Sequence, residues 1–273
     1  DNSVSPVSRF YDPENAVFKA MLSTSDFPPT EYSCSAWLPF LREIGLKHRV
    51  TQQQFLDFAE KLALDAESSY TDTVVREKSK TLVTCLLQQD HLHDSSFMHI
   101  ASSIRFVAAE TASDELRSLH PQCGCDTKDN VPPFTEFRGA LPSEHQKLAW
   151  TSMNLLPVWA TPITAEKRLL EDLRVALLPP LDKVINHVDV LSKAHRWNVH
   201  KDIAKDQREL LHDVIYDAFN FLKGECHCPS TTLSGNCSKS CLDIGSILMR
   251  RPCIPVEEGR VFVEGSQLAF ETT

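Results

Sequence analysis

The stretch from Trp37 to Glu67, WLPFLREIGLKHRVTQQQFLDFAEKLALDAE, leaves the backbone little freedom, because it spells two helices and the turn between them. Trp37, Phe40, Leu41 and Ile44 recur at the three-to-four spacing of one helical face, and Gly45 follows as the residue that can turn left-handed at a helix end. With Gly45 at C′, Leu46 becomes C″ and Leu41 becomes C3, the pair whose apolar contact accompanies a Schellman stop. The next helix opens with Thr51 as N-cap and Gln54 at N3, a capping box, with Val50 and Phe55 placed as a hydrophobic staple. Phe55, Phe58, Ala59 and Leu62 give that helix one buried stripe. The pattern predicts a helical hairpin.

Upstream, residues 1 to 32 contain a short helix over Asn15 to Leu22 and the Phe27-Pro28-Pro29 break, a lead-in segment whose Phe10, Tyr11 and Phe18 act as anchors. Downstream, Asp72 caps a helix running to Gln89 with Val75, Leu82, Val83, Leu86 and Leu87 on one side. Asp94-Ser95-Ser96 caps a further one, predicted from Phe97 to Glu110 through Ile100, Ile104 and Val107. A brief helix from Ser113 to Leu119 precedes Pro121. Residues 121 to 142 then break the pattern with prolines and glycines, and Phe134 to Arg138 around Phe137 fits a short edge strand.

Ser143 with Gln146 reads as a second capping box, opening a helix through Leu148, Trp150, Met153 and Leu156 that Pro157 stops. Thr164 caps Ala165 to Leu178. After Pro179-Pro180, Leu181, Val184, Ile185, Val188 and Leu191 form the face of another helix. Lys201 to Lys223 is the longest late helix, with Leu210, Leu211, Val214, Ile215, Ala218, Phe219 and Leu222 on a wide apolar face closed by Gly224. A cysteine-rich loop follows from Glu225 to Ser240, then a helical stretch near Leu242 to Met249. The runs Cys253 to Val256 and Arg260 to Val263, split by Glu257-Glu258-Gly259, predict a small hairpin.

The expected fold is therefore mainly α: an antiparallel helical bundle or short helical array with a small β element near the C-terminus. The expected organisation is an N-terminal helical subdomain over 1–120, a Pro-rich connection over 121–142 and a C-terminal helical subdomain over 143–273. With 42% hydrophobic and 24% charged residues in 273, the chain can bury a large core. Its 28 basic and 37 acidic residues give a net charge of −9, which argues against a phosphate backbone as partner. No apolar run is long enough to span a membrane, and the polar start DNSVSPVSRF is no signal peptide. Asp at position 1 predicts a piece of a longer protein. Nine cysteines, an odd number, and no signal favour a reducing, cytoplasmic compartment. The Asn236-Cys237-Ser238 acceptor pattern is then without consequence.

The segments FYDPENAVFKAML, WLPFLREIGLKHRVTQQQFLDFAEKL, LAWTSMNLLPVWATP, PPLDKVINHVDVLSKA and RRPCIPVEEGRVFVEGSQLAF resemble, in that order, the repeated region of the sacsin family of very large chaperone-like proteins. The order matches the part of the repeat that follows its GHKL-type ATPase domain. The resemblance implies a helical, cytoplasmic segment acting in protein quality control and in cytoskeletal or mitochondrial organisation. It also implies adjacent domains of the same protein, heat-shock chaperones of the seventy class and client proteins as partners. The family supplies no motif of binding residues for this segment, so no site residue carries over.

The residues themselves give few chemical candidates. Cys226-His227-Cys228 with Cys237 and Cys241 offers enough soft ligands for a tetrahedral zinc, and Cys123 with Cys125 could add to it. Against zinc, Cys-x-Cys is tighter than the usual knuckle and no Cys-x-x-Cys pair accompanies it, so small buried hydrophobes and exposed thiols fit as well. His91, His93, Asp94 and His99 resemble a metal-hydrolase run but lack the preceding strand, which favours a solvated loop. No P-loop, no G-x-G-x-x-G, no Asp-x-Gly-x-Gly ATPase turn and no G-x-S-x-G elbow is present. The charges Glu166, Lys167, Arg168, Glu171, Asp172 and Arg174, and those at Lys201, Asp202, Lys205 and Asp206, read as solvated helix faces. Of four tryptophans, Trp37, Trp150 and Trp159 lie in apolar runs and are expected in the core, while Trp197 is the candidate contact residue. The expectation is a non-catalytic interaction and scaffold module with no catalytic, cofactor or metal site; the alternative is a zinc-stabilised module or enzyme centred on Cys226, Cys228, Cys237 and Cys241.

Overall fold

The structure is a computed structural model that describes residues 5–69, 71–119, 134–161, 167–196, 205–225, 252–255 and 262–264. Its helices are α1 (Ala16–Met21), α2 (Leu38–Glu43), α3 (Gln52–Ser69), α4 (Thr73–Gln88), α5 (Ser95–Ala101), α6 (Asp114–Ser118), α7 (Gln146–Ala149), α8 (Lys167–Asp172), α9 (Leu181–Arg196) and α10 (Lys205–Glu225). Three small strand pairs form: β1 (Val107–Ala108) antiparallel to β2 (Phe134–Thr135), β3 (Leu141–Pro142) with β4 (Leu155–Leu156), and β5 (Pro252–Pro255) antiparallel to β6 (Phe262–Glu264). The fold is mainly helical with a minor sheet near the C-terminus. The chain divides into two compact units, one of residues 1–110, 131–140 and 156–175, the other of 111–130, 141–155 and 176–273.

In the first unit the predicted turn forms as its side chains dictate. Gly45 adopts φ +112°, and the Leu46 N–H donates to the Leu41 carbonyl at 2.8 Å while the Gly45 N–H reaches the Arg42 carbonyl at 3.3 Å, the two bonds of a Schellman stop. At the start of α3, the Gln54 N–H donates to Thr51 Oγ1 at 3.2 Å and the Thr51 N–H to Gln54 Oε1 at 3.0 Å, so both donors of the capping box are satisfied. Asn15, Asp72 and Asp94 cap α1, α4 and α5 through their side-chain oxygens.

The core of this unit is built around α3 and α4, which pack on each other across a short connection. Phe55 on α3 meets Phe97 edge-on at 5.5 Å and Phe106 at 5.6 Å, Phe106 continues to Phe137 at 5.8 Å, and Phe58 meets Phe18 of α1 at 6.4 Å. All of these rings are buried. Fully burying one such side chain stabilises the fold by about 1.5–3 kcal/mol before ordering costs.

The predicted helix from Phe97 to Glu110 stops at Ala101, and Ile100 is exposed. Phe106, Val107, Ala108 and Ala109 are buried as extended chain instead, with Val107 opposite Thr135 and Ala108 opposite Phe134. The cause sits on α4. Buried Ser79 donates its hydroxyl to the Phe106 carbonyl at 2.7 Å and accepts the Ala108 N–H at 2.8 Å, meeting backbone needs that a helix would have met internally. Helix α8 ends in a second Schellman stop, with Arg174 at φ +54°, the Val175 N–H on the Leu170 carbonyl and the Arg174 N–H on the Glu171 carbonyl, both at 2.9 Å. Thr164, expected to cap this helix, lies outside the described residues.

In the second unit, α9 and α10 bury Val184, Val188 and Leu191 against a cluster that includes Leu211, Val214, Ala218 and Leu222. Helix α10 runs through Gly224 to Glu225, so that glycine is no left-handed stop. The second predicted capping box is absent. Ser143 lies in a 3-10 turn, and Gln146 Oε1 accepts the Ser113 N–H at 3.0 Å, which places the glutamine at the entry of α6. Only Gln146–Ala149 is helical of the run predicted to continue to Leu156, which is β-paired instead. Strands β5 and β6 form the predicted hairpin, with Ile254 opposite Val263 and Pro255 opposite Phe262.

Candidate functional site

The histidine run after α4 is structural. His91 Nε2 lies 2.9 Å from the Val50 carbonyl and His93 Nε2 2.7 Å from the Leu86 carbonyl, so each ring nitrogen donates to backbone, the latter to a carbonyl that the end of α4 leaves open. Asp94 is occupied as the cap of α5, and His99 is exposed on that helix. These four residues do not converge. Among the described residues no group of three His, Cys, Asp or Glu side chains could hold a metal ion. Cys123, Cys125, Cys226, His227, Cys228, Cys237, Cys241 and Trp197 lie outside the described residues.

A pocket of about 340 Å³ opens between α1 and α4, lined by Asn15, Val17, Glu77, Lys80, Cys85 and Gln88 among others. Its buried thiol is Cys85, which desolvation pushes up to about 11, so it is protonated and inert at neutral pH. Asn15 is spent on capping α1.

A buried histidine that the sequence reading missed lies on α9. His187 Nε2 donates to the Lys147 carbonyl at 3.1 Å, and because a carbonyl only accepts, Nδ1 is the nitrogen that accepts the Thr151 hydroxyl at 2.6 Å. Trp150 covers the ring at 4.1 Å. Its place between Val184 and Val188 in the apolar stripe was the available signal. Both nitrogens are committed to protein atoms, so this histidine has a structural role.

Apolar surface is left exposed on and beside α2. Leu38 and Leu41 are buried with Leu46, Val7 and Phe10, whereas Trp37 is 45% exposed, Phe40 54% and Ile44 47%. This corrects both the expected stripe on α2 and the expected core position of Trp37; Trp159, at 37%, is exposed as well, and Trp150 is partly buried. Tyr32 meets Trp37 edge-on at 5.7 Å, and Trp37 meets Phe40 at 6.3 Å, so three aromatic rings form one connected exposed row. Such a face offers apolar and aromatic surface for contact.

The mounting of α2 is firm. Arg42 donates Nε to Asp12 Oδ2 and Nη2 to Glu14 Oε2, each at 2.6 Å, and these carboxylates hold its guanidinium well above the ordinary arginine range. The Lys47 N–H donates to the Phe10 carbonyl at 3.1 Å, and the Asp12 N–H to the Lys47 carbonyl at 2.9 Å, so the lead-in and the chain after α2 are joined as well. Among the described residues no helix is long and apolar enough to cross a membrane.

The chain is similar to human sacsin, 30% identical over an alignment of 217 residues that covers 65% of this chain and 5% of that protein. The chain spans only about a twentieth of that protein's length. No family model and no solved structure matches.

Proposed function

We propose that this chain is a non-catalytic helical interaction module of a very large co-chaperone-like protein acting in protein quality control in the cytoplasm. The observation that carries the reading is the similarity to sacsin across most of the chain. The physical support is that His91, His93, Asp94, Cys85 and His187 are engaged in caps, carbonyl contacts or burial. An apolar row on α2 is left for contacts.

Within that protein the module follows a GHKL-type ATPase domain and works on it, on its neighbours or on clients through surface contacts. The test is to add the chain in trans to such an ATPase domain and measure ATP turnover and assembly. The reading expects a changed rate or a stable complex, without ATP hydrolysis by the chain itself. No complex and no rate change would count against it, as would ATP hydrolysis by the isolated chain.

A further inference from the structure

We infer that the uncovered face of α2, together with Tyr32, is the docking surface for an amphipathic helix that carries cationic side chains beside its apolar stripe. The inference deepens the interaction-module reading and rests on it.

Trp37, Phe40 and Ile44 are spaced three and four apart, so they stand on one side of α2, turned from the side on which Leu38 and Leu41 are buried. A short helix apolar on both sides is ordinarily enclosed by its own protein. Here one side faces water, and Cys34, Ser35, Ala36 and Pro39 are exposed as well. The row is also pre-organised. The Schellman stop at Gly45 and the ion pairs of Arg42 fix the helix, and the ring contacts from Tyr32 through Trp37 to Phe40 restrict the aromatic rotamers, so little ordering is left for a partner to impose. Aromatic anchors of this kind carry most of the energy in helix-in-groove contacts.

The charge around the row selects the partner. Glu31 adjoins Tyr32, and Glu43 lies beside Ile44 and one turn from Phe40; both are exposed, and neither forms an ion pair with any described residue. The only cation between residues 30 and 46, Arg42, is committed to Asp12 and Glu14. Between residues 30 and 46 the charges left free beside the apolar row are therefore the two carboxylates. A second copy docking face to face about a twofold axis would bring Glu31 and Glu43 of each copy together, on a chain of net charge −9. A helix with lysine or arginine flanking its apolar stripe pairs those same carboxylates instead.

The test titrates the whole chain by calorimetry with three tryptophan-free peptides of about 18 residues, five helical turns. One is a leucine–lysine peptide patterned as an amphipathic helix, one has the same pattern in leucine and glutamate, and one is a scramble of the leucine–lysine composition. The patterned cationic peptide is expected to bind and the other two are not. The double variant W37S/F40S, which alters exposed side chains only, should keep its thermal midpoint and weaken binding by about tenfold or more, the scale of a lost hot spot. E31Q/E43Q should weaken it about threefold or more at low salt, with the difference closing at high salt. Equal binding of the scrambled peptide, unchanged binding by W37S/F40S, or a chain that dimerises through this face would each overturn the proposal. None of those outcomes bears on the ATP-turnover assay, whose failure counts against the module reading instead.

Discussion

Arg42 Nε donates to Asp12 Oδ2 at 2.6 Å, and the Asp12 side chain is only 4% exposed while the guanidinium stays partly in water. The pair joins two segments separated by a helix and a proline-rich turn. It also occupies the one cation between residues 30 and 46, leaving Glu31 and Glu43 beside the aromatic row without it.

Arg42→Ala leaves the Asp12 carboxylate buried without its cation and should destabilise the first unit by about 2 kcal/mol, below the cost of breaking a fully enclosed pair because the guanidinium is partly hydrated. Arg42→Lys should recover only part of this, since one ammonium cannot serve Asp12 and Glu14 in the same fork geometry. Urea denaturation of the three proteins measures both.

Gly45 and Arg174, both at positive φ, predict opposite signs. Gly45→Ala meets nothing closer than Ser8 Cβ at 3.8 Å, so its cost is the left-handed backbone alone, about 1 kcal/mol. Arg174 already bears that strain at φ +54°, and Arg174→Gly should stabilise by about 0.5–1 kcal/mol. Thermal unfolding of the two variants should move in opposite directions.

Ser79→Ala strips the hydroxyl that serves both the Phe106 carbonyl and the Ala108 N–H in a fully buried setting. Two backbone groups lose a partner, and the loss should be about 2–3 kcal/mol, with faster amide exchange at Ala108 than at residues within α4.

The cysteines of the first unit should separate by reactivity. Cys34 is exposed, whereas burial holds the Cys85 thiol at about 11. At pH 8 only about one Cys85 in a thousand is thiolate, and access is blocked besides. Mass spectrometry after brief iodoacetamide treatment should find Cys34 modified and Cys85 intact, until denaturant exposes the latter.

Local signals were readable where a side chain acts on backbone within four residues of itself. The Gly45 stop, the Thr51 and Gln54 box and the Asp72 and Asp94 caps all belong to that class, as do the faces of α3, α9 and α10. Failures began where the deciding partner is remote in sequence. Residues 106 to 109 have alanine enough for a helix, yet Ser79 and the strand at Phe134 hold them extended. Ser143 and Gln146 carry the same letters as a box, yet Gln146 serves Ser113. Periodicity identified α2 as apolar, but a period cannot tell which of two apolar sides finds a cover, and Trp37, Phe40 and Ile44 were assigned to the wrong one. The candidate site therefore became visible only with the fold.

The central claim, a chain that works by contact through its uncovered apolar face, is tested most directly by amide hydrogen exchange of the chain alone and mixed with a sacsin-type ATPase domain. The account predicts slowed exchange concentrated in residues 30 to 46, and its loss in W37S/F40S. Protection confined to other segments, or a complex that forms with no change across α2, would contradict it.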